Sequence, residues 1–598
     1  MYLRRFYFII LVYANLKMEY DTKDKTFWKR KGNDMKVLLG AVNAKYIHSN
    51  LAVYCLKAYA EKNMPQDVNV QIELAEYTIN QNRDEILKDI YRRQAEMICF
   101  SCYIWNLDYV ESMIRDVKKV MKDVIIWAGG PEVSYDSRET LGRLPELTGV
   151  MKGEGEKTFA KLCKVYGKSS ETSELSLEQI DGITFRCPDG TICERPWRVP
   201  MDLSEVPFVY HDMKKFENKI IYYESSRGCP FSCSYCLSSI DKKLRFRDLE
   251  LVKKELQFFL DHRVPQVKFV DRTFNCKHEH AMTIWKYILE HDNGITNFHF
   301  EVSADLLRDE EMQLMSKMRP GLIQLEIGVQ STNPDTIHAI HRHMDLDKLE
   351  RCVAKVHSFG NIHQHLDLIA GLPYEDYDTF HRSFNDVYRM KPDQLQLGFL
   401  KVLKGSLMEK EAEKYGIMHK EKEPYEVLST NWLSYKEVLR LKMAESMVEV
   451  YYNSGQFQNT LEYLVPQFAD AFTFYEKLGA FYEKKGYSEI SHSRMRRYEI
   501  LLEFLREETD LDADVAAQHM LYDLYLREKL KKRPSFAADQ KPYESAVWTY
   551  RKKHKISKTA HIEVFPDGTT ILFDYENRNP LSNNAHTETI ELDLNNVE

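Results

Sequence analysis

Three cysteines within one short loop constrain this chain more than any other stretch of it. Cys229, Cys233 and Cys236 lie in the run Arg227-Gly-Cys-Pro-Phe-Ser-Cys-Ser-Tyr-Cys236. The C-x₃-C-x₂-C spacing gathers three thiolates, enough to hold a cubane iron–sulfur cluster and one too few to saturate it, because structural clusters take four cysteines. An iron left open can bind and activate a small molecule. The other chemistry for close cysteines is zinc, which wants a fourth Cys or His at ligand spacing; none follows in the stretch after Cys236. The loop also follows an apolar run, Ile220 to Glu224, so the fold must present it at the carboxyl end of a strand.

At 598 residues the chain is too long for one core, and three or four domains are expected. A formal net charge of −8 gives no electrostatic case for nucleic acid as a partner. The eleven cysteines are odd in number, and all lie at or before Cys352. That argues against a disulfide framework and for a reducing, cytoplasmic compartment. It also leaves no cysteine-rich C-terminal extension for a second cluster, so one cluster is expected. Residues 1–34 open like a signal peptide, with Arg4-Arg5 ahead of the apolar run Phe6 to Tyr13. The run is short, no small-residue cleavage site follows, and it cannot span a bilayer. It reads as an N-terminal extension, a start codon misread upstream, and no membrane partner is expected.

Residues 35–170 alternate strand and helix: strands at Val37–Ala41, Val68–Glu76, Met97–Ser101 and Val124–Ala128, with helical spacing between them. Such alternation predicts a doubly wound parallel sheet, whose ligands sit at the carboxyl ends of the strands. The strand ends carry His48, Ser101, Gly129-Gly130-Pro131-Glu132 and Gly153-Glu154-Gly155-Glu156. The two adjacent glycines let backbone approach a flat or bulky ligand closely. Cys99 and Cys102 form a C-x₂-C in an apolar strand and read as buried small residues rather than a redox pair. Residues 171–218 read as a linker containing a β-hairpin with Asp189-Gly190 at its turn.

Residues 219–410 contain six strand–helix units, with strands at Ile220–Glu224, Val267–Asp271, Phe298–Ser303, Leu322–Ile327, Leu366–Ile369 and Gln394–Phe399. Polar motifs end them in order: the cluster loop, Asp271-Arg-Thr-Phe-Asn275, Glu301-Val-Ser303, Glu326-Ile-Gly328-Val-Gln330-Ser331, and Asp367-Leu-Ile-Ala-Gly371-Leu-Pro373. Residues 411–545 are rich in helix formers, and their dense aromatics, among them Tyr451, Phe472, Tyr475 and Phe481, read as a bundle core. Residues 546–598 read as a terminal hairpin, with Asp567-Gly568 at its turn, and a loose polar tail from Asn577.

With Tyr235 just before its last cysteine and these motifs in this order, the central segment resembles the radical S-adenosylmethionine (SAM) superfamily. The Gly-Gly-Pro and Gly-Glu-Gly-Glu segments resemble the cobalamin-binding domain that precedes many of its barrels. The resemblance implies an α/β chain of three parts: a doubly wound, Rossmann-like cobalamin-binding domain, a partial (β/α)₆ radical SAM barrel, and a mainly helical C-terminal domain. It implies a [4Fe–4S] cluster on Cys229, Cys233 and Cys236, whose open iron chelates SAM and cleaves it to a 5′-deoxyadenosyl radical. Carried over residue by residue, the backbone at Tyr235 would face the adenine, Ser303, Glu326 and Gln330 would lie near the ribose and methionyl groups, and Gly328 would leave space. Asp271 accepts from the SAM amine or acts on substrate, and Cys276, just past a strand end, is a further catalytic candidate. His48, Ser101, Gly129, Gly130, Glu132 and Glu154 would line the cobalamin site. One departure stands out: the Asp-x-His-x-x-Gly motif that supplies a histidine to cobalt is missing, with His48 one place off. No lower histidine ligand is expected unless His48 swings in.

The resemblance further implies an electron donor such as flavodoxin or ferredoxin, a small-molecule substrate, and methyl transfer to an unactivated carbon. Radical rearrangement or cyclisation is a further outcome within the same class. A methylthiotransferase is the near alternative, but Cys55, Cys99, Cys102 and Cys163 are poorly spaced for its extra cluster. A sensor that binds cobalamin or a cluster without turnover is the alternative from another class.

Overall fold

The computed structural model describes residues 35–66, 68–167 and 176–593. The reading of residues 1–34 as an extension lies outside them, as do the first residues, 171–175, of the stretch read as a linker.

The first unit is an open sheet in the order β2-β1-β3-β4-β5-β6-β7. Its strands are β1 (Met35–Asn43), β2 (Val70–Thr78), β3 (Met97–Ser101), β4 (Ile125–Gly129), β5 (Gly149–Met151), β6 (Ile183–Arg186) and β7 (Ile192–Glu194). The first five are parallel and the last two antiparallel. Helices α1 (Leu51–Asn63), α2 (Arg83–Arg93), α3 (Leu107–Val120) and α4 (Glu156–Gly167) connect or flank them. Two apolar cores, one on each face, explain why β1 is buried along nearly its whole length. Cys99 and Cys102 sit in these cores, 2% and 1% exposed, as small apolar residues. The predicted hairpin exists, but it is no free linker: β6 pairs with β5 and extends this sheet. Sequence reading missed that because edge pairing depends on where a neighbour's backbone lies, not on the hairpin's own residues.

The second unit is a six-stranded parallel sheet in the order β13-β12-β11-β10-β9-β8. Its strands are β8 (Ile221–Tyr223), β9 (Gln266–Phe269), β10 (Asn297–Val302), β11 (Ile323–Gln330), β12 (His363–Ala370) and β13 (Gln394–Phe399). Between them run the helices α5 (Leu249–Asp261), α6 (His278–Glu290), α7 (Asp309–Met315), α8 (Leu346–His357) and α9 (Tyr377–Arg389). Burial along β10, β11 and β12 alternates strictly, the apolar residues packing under the helices and the polar ones facing the lumen. This is the predicted partial barrel.

Beyond it, α10 (Tyr435–Met447), α11 (Ala471–Lys484), α12 (Arg494–Glu508) and α13 (Ala513–Arg527) continue the barrel's own core, with Tyr451, Phe472, Tyr475 and Phe504 fully buried. The stretch read as a loose tail from Asn577 is in part a strand among the described residues, and its last residues lie outside them. Strands β14 (His561–Val564), β15 (Thr570–Arg578) and β16 (Ala585–Thr589) form an antiparallel sheet whose Phe573 and Ala585 pack on Leu521 and Tyr525. The polar alternation His586-Thr-Glu-Thr hid β16, because only one of its faces meets the core. Among the described residues no helix is long and apolar enough to cross a membrane.

Candidate active site between the two sheets

The cluster loop leaves the carboxyl end of β8 and is closed at its base by a short antiparallel bridge, Ser226–Arg227 against Arg245–Phe246. Gly228 takes φ +89 there, and a Cβ would stand 2.6 Å from the Lys243 carbonyl, so only glycine fits. The Cys229 amide donates to the Asp241 carbonyl at 3.1 Å and the Ser234 amide to the Ile340 carbonyl at 2.9 Å. The Ser234 carbonyl in turn accepts from the Met408 amide at 2.8 Å. Cys229 and Cys233 are 8% and 7% exposed and Cys236 is half-buried. Burial pushes the Cys229 thiol up, and the neighbouring Cys233 and Cys236 add to the rise. Cys229 has a long contact to Thr273 (3.8 Å) and Cys233 a long contact to Arg342 (3.9 Å), and the three thiols of this one loop are the residues that would hold a cubane, whose iron would take them as thiolates. Among the described residues no three His, Cys, Asp or Glu side chains converge on a single-ion site. A cubane asks less of them, because its own sulfides fill the space between ligands.

Beside the loop lies a cavity of about 280 Å³, lined by Tyr235, Gln330, Asp367, Gln396 and Lys401 among others. Gln330 takes φ +74 at a bulge in the β11–β12 register, and its buried Oε1 has no hydrogen-bond partner. A bulge plus a left-handed non-glycine residue is strain held in place by its surroundings, a mark of ligand sites. The orphaned oxygen supplies an acceptor of the kind that SAM's ammonium or hydroxyls need. Gly328 leaves room for this arrangement: a Cβ there would stand 2.2 Å from Gln330 Nε2. Glu326 and Ser303 line neither this cavity nor the one described next, and both are already engaged. Glu326 lies 3.0 Å from Lys268 Nζ and 2.9 Å from His299 Nε2. Burial alone would raise its carboxyl, but His299 and Lys268 overcome that and hold it down at about 2. Ser303 Oγ donates to Asp305 at 2.6 Å.

A cavity of about 720 Å³ lies where the strand ends of the first sheet meet the barrel. His48, Ser101, Gly129, Gly130 and Glu154 line it from the first sheet, and Glu224, Arg227, Arg272 and Glu301 from the barrel. Gly130 has φ +113, and a Cβ would come within 2.4 Å of the Cys102 carbonyl, so the turn after β4 packs against the backbone just past β3 in a way that only glycine allows. Tyr103 and Trp105 stack at 4.5 Å and add a flat apolar wall. A broad, mostly apolar cleft with glycine strand ends fits a corrin. His48 faces it with its Nδ1 2.6 Å from the Tyr222 hydroxyl, and burial, with Lys45 and Lys268, lowers its pKa and keeps it neutral.

Three sequence readings need correction, those of Glu132, Asp271 and Cys276. Glu132 does not line the cavity: it is 2% exposed and accepts from the Tyr425 hydroxyl at 2.9 Å. Glu154 lines it, but its carboxylate is taken by Arg245 and by the Met201 amide, so it ties the cluster loop to the first sheet. Asp271 is fully buried and accepts from the Ser225 amide and the Ser225 and Ser226 hydroxyls, which makes it a pin for the strand before the loop. Burial raises its carboxyl to about 6 against those hydrogen bonds. Cys276 is half-buried outside both cavities, and burial raises its thiol to about 11, so it is a thiol rather than a nucleophilic thiolate near neutrality. Sequence shows that a residue ends a strand, but not whether its side chain turns toward ligand or toward a neighbouring loop.

Two residues escaped sequence reading. Glu301 lines the large cavity with no hydrogen-bond or ion-pair partner among the described residues, and burial, then Glu326, raises its carboxyl to about 7. The signal was present in the alternation His299-x-Glu301-x-Ser303, which puts charge on one face of an otherwise apolar strand. Arg342 was not signalled at all; it reaches the cluster loop from the segment after β11.

Comparison with known proteins agrees with this geometry. A family model described as the B12 binding domain matches residues 37–163, and the radical SAM superfamily model matches residues 223–387. A third, described as a protein of unknown function (DUF4080), matches residues 413–598. The chain carries a B12-binding domain ahead of a radical SAM domain, and these two domains imply cobalamin, SAM and a [4Fe–4S] cluster. Among its relatives is an uncharacterized methyltransferase of Pyrococcus horikoshii, 24% identical over 48% of this chain and 62% of that protein. Another is the 2-(S-pantetheinyl)-carbapenam-3-carboxylate methyltransferase of Streptantibioticus cattleyicolor, 24% identical over 48% of this chain and 44% of the relative. This chain thus spans less than two thirds of either. The cobalamin-dependent SAM radical enzyme OxsB, solved with aqua-cobalamin and SAM, shares the fold with a TM-score of 0.58 over 90% of this chain and 82% of that one, at 15% identity.

Proposed function

We propose that this protein is a cobalamin-dependent radical SAM methyltransferase that modifies an unactivated carbon of a small molecule. The observation that carries the reading is the 720 Å³ cavity, walled on one side by the glycine strand ends of the B12-binding sheet and on the other by the barrel and the cluster loop. Two of its relatives are methyltransferases by name, which favours methyl transfer over other radical outcomes. When bound, the cluster and SAM supply a hydrogen-abstracting radical, and cobalamin supplies a methyl group by homolysis, which a sulfonium cannot do for a carbon radical. The chain's own residues do the rest. Cys229, Cys233 and Cys236 would hold the cluster with one iron open. Gln330 and Tyr235 shape the adjoining SAM-sized cavity, and Gly129 and Gly130 let the corrin lie against backbone. Glu301, the one carboxyl lining the shared cavity without a hydrogen-bond or ion-pair partner among the described residues, is placed to accept a hydrogen bond or proton from the substrate. A low-potential donor of the flavodoxin or ferredoxin class would reduce the cluster, in the cytoplasm.

The test is anaerobic. After cluster loading, cobalamin titration followed by UV–visible spectroscopy should show stoichiometric binding. Addition of SAM and dithionite should yield 5′-deoxyadenosine and methionine. Extract from a strain lacking the gene, incubated with the loaded protein, should lose one metabolite and gain its methylated form. Binding without any SAM cleavage identifies a sensor instead, and cleavage without a mass gain of one methyl group points to rearrangement or cyclisation.

A further inference from the structure

Six charged side chains line the 720 Å³ cavity, and four of them are already spent. Arg227 pairs with Glu156 at 2.6 Å and with Glu224 at 2.9 Å, and Glu154 is taken by Arg245. Arg272 and Glu301 remain. Neither side chain has a hydrogen-bond or ion-pair partner among the described residues. Both stand on the barrel wall, Arg272 just past the end of β9 and Glu301 near the end of β10. These two strands pair in parallel, Lys268 beside His299, so both groups rise from neighbouring strand ends, where barrel sites take their ligands. Arg272 is exposed, and its charge acts on Tyr103 and Glu301, which line the same space, so its guanidinium faces the cavity. It does not neutralise Glu301. Burial first and Glu326 next raise that carboxyl to about 7, and Arg272 offsets the rise only in part.

The cavity thus offers one free cation and one free acid, and no lysine lines it. A few polar groups in a mostly apolar pocket fix the orientation of its ligand. We propose that the substrate is a small zwitterion, an amino acid or a molecule with an amino-acid end, whose carboxylate pairs with Arg272 and whose ammonium pairs with Glu301. The inference rests on the methyltransferase reading above and names the substrate class for that same cavity. A guanidinium holds a carboxylate through two parallel N–H donors, a fit that one arginine completes. A phosphate group carries nearly two charges and would leave one unanswered, since Arg227 is spent on its own carboxylates. An ammonium suits Glu301, because a cation beside a half-buried carboxyl favours its ionised form. A neutral or purely anionic molecule would leave one of the two groups unmatched.

The test uses the full chain loaded with cluster, cobalamin and saturating SAM, since SAM has an amino-acid end of its own. Mixed anaerobically with extract of a strain lacking the gene and passed through an ultrafiltration membrane, it should retain one metabolite above a protein-free control. Acetylation and methyl esterification of the retained fraction, read by mass spectrometry, should each add a group to that metabolite, showing an amine and a carboxyl. R272Q and E301Q should each weaken its retention about tenfold, the loss expected for a charge-assisted hydrogen bond. R272K, which keeps the charge, should lose less. Cobalamin retention in all three should match the wild type. Retention of nothing, retention of a metabolite lacking either group, or undiminished retention in R272Q or E301Q overturns the proposal. Loss of cobalamin from R272Q also overturns it and assigns the arginine to the corrin; a metabolite retained only when SAM is left out assigns the pair to SAM. A retained zwitterion that gains no methyl group once dithionite is added supports the proposal and refutes the methyltransferase reading. Methylation of a metabolite lacking either group does the reverse, which separates the two failures.

Discussion

The two parallel sheets of this protein are built by the same strand–helix alternation and put to opposite uses. In the first sheet both faces are covered, and from Val37 to Val42 β1 reads Val-Leu-Leu-Gly-Ala-Val, its one charged residue, Lys36, standing near its start. In the barrel sheet only the outer face is apolar. Its inner face carries Lys268, His299, Glu301, Glu326, His365 and Asp367 on neighbouring strands, Glu301 beside Glu326 and Glu326 beside His365 in register. Full (β/α)₈ barrels fill this space with branched apolar layers. Here the lumen is a charged surface, while the first sheet offers its ligand only strand ends and backbone. One sheet is a cradle and the other a reaction vessel.

That contrast can be broken at several points. The largest effect is expected at the cluster: C229A, C233A or C236A should each abolish cubane loading, read as iron content, and remove 5′-deoxyadenosine formation altogether. Next comes the cradle. G130A forces a Cβ into the Cys102 carbonyl at positive φ, which should cost about 1–3 kcal/mol in urea unfolding and weaken cobalamin retention without affecting cluster loading. Equal loss of both cofactors would mean the sheets do not divide the work.

The lumen makes a prediction of opposite sign for two of its carboxyls. Glu326 is held down at about 2, so its stabilisation is present above its unfolded pKa and fades as pH falls from near 4.5 toward 2. K268M should flatten that acid limb of the stability–pH curve. Glu301 is raised to about 7, so its ionisation costs stability as pH rises from near 4.5 to 7. E301Q should gain roughly 1–3 kcal/mol over the wild type at pH 8 relative to pH 5, by the energy of a pKa unit. An E301Q difference that does not vary with pH would show that the carboxyl is not buried and unpaired. The smallest effect is expected at the contact between the first sheet and the segment after the barrel: Y425F removes one hydrogen bond to Glu132 and should lower stability by about 1 kcal/mol, with both cofactors still bound.

Much of this was legible in the sequence, because period and spacing are local. The alternation of apolar and polar residues located all six barrel strands, and three cysteines in one loop announced the cluster. Gly129-Gly130 declared a close approach before any ligand was considered. What failed were statements about where a strand-end side chain points. Glu132 sits two residues past those glycines in sequence, yet it bonds Tyr425, a partner 293 residues away. Strand β16 escaped because half of its residues face solvent.

The sequence by itself determined the two sheets, the cluster loop and the chemistry its thiols allow, since each depends on residues close along the chain. Only the tertiary structure decided that the β6–β7 hairpin joins the first sheet and that Glu301 and Arg272 stand unpaired in a shared cavity. The reason is physical: charge balance and desolvation are set by every group within a few ångströms, and folding brings those groups together from segments that share no local pattern.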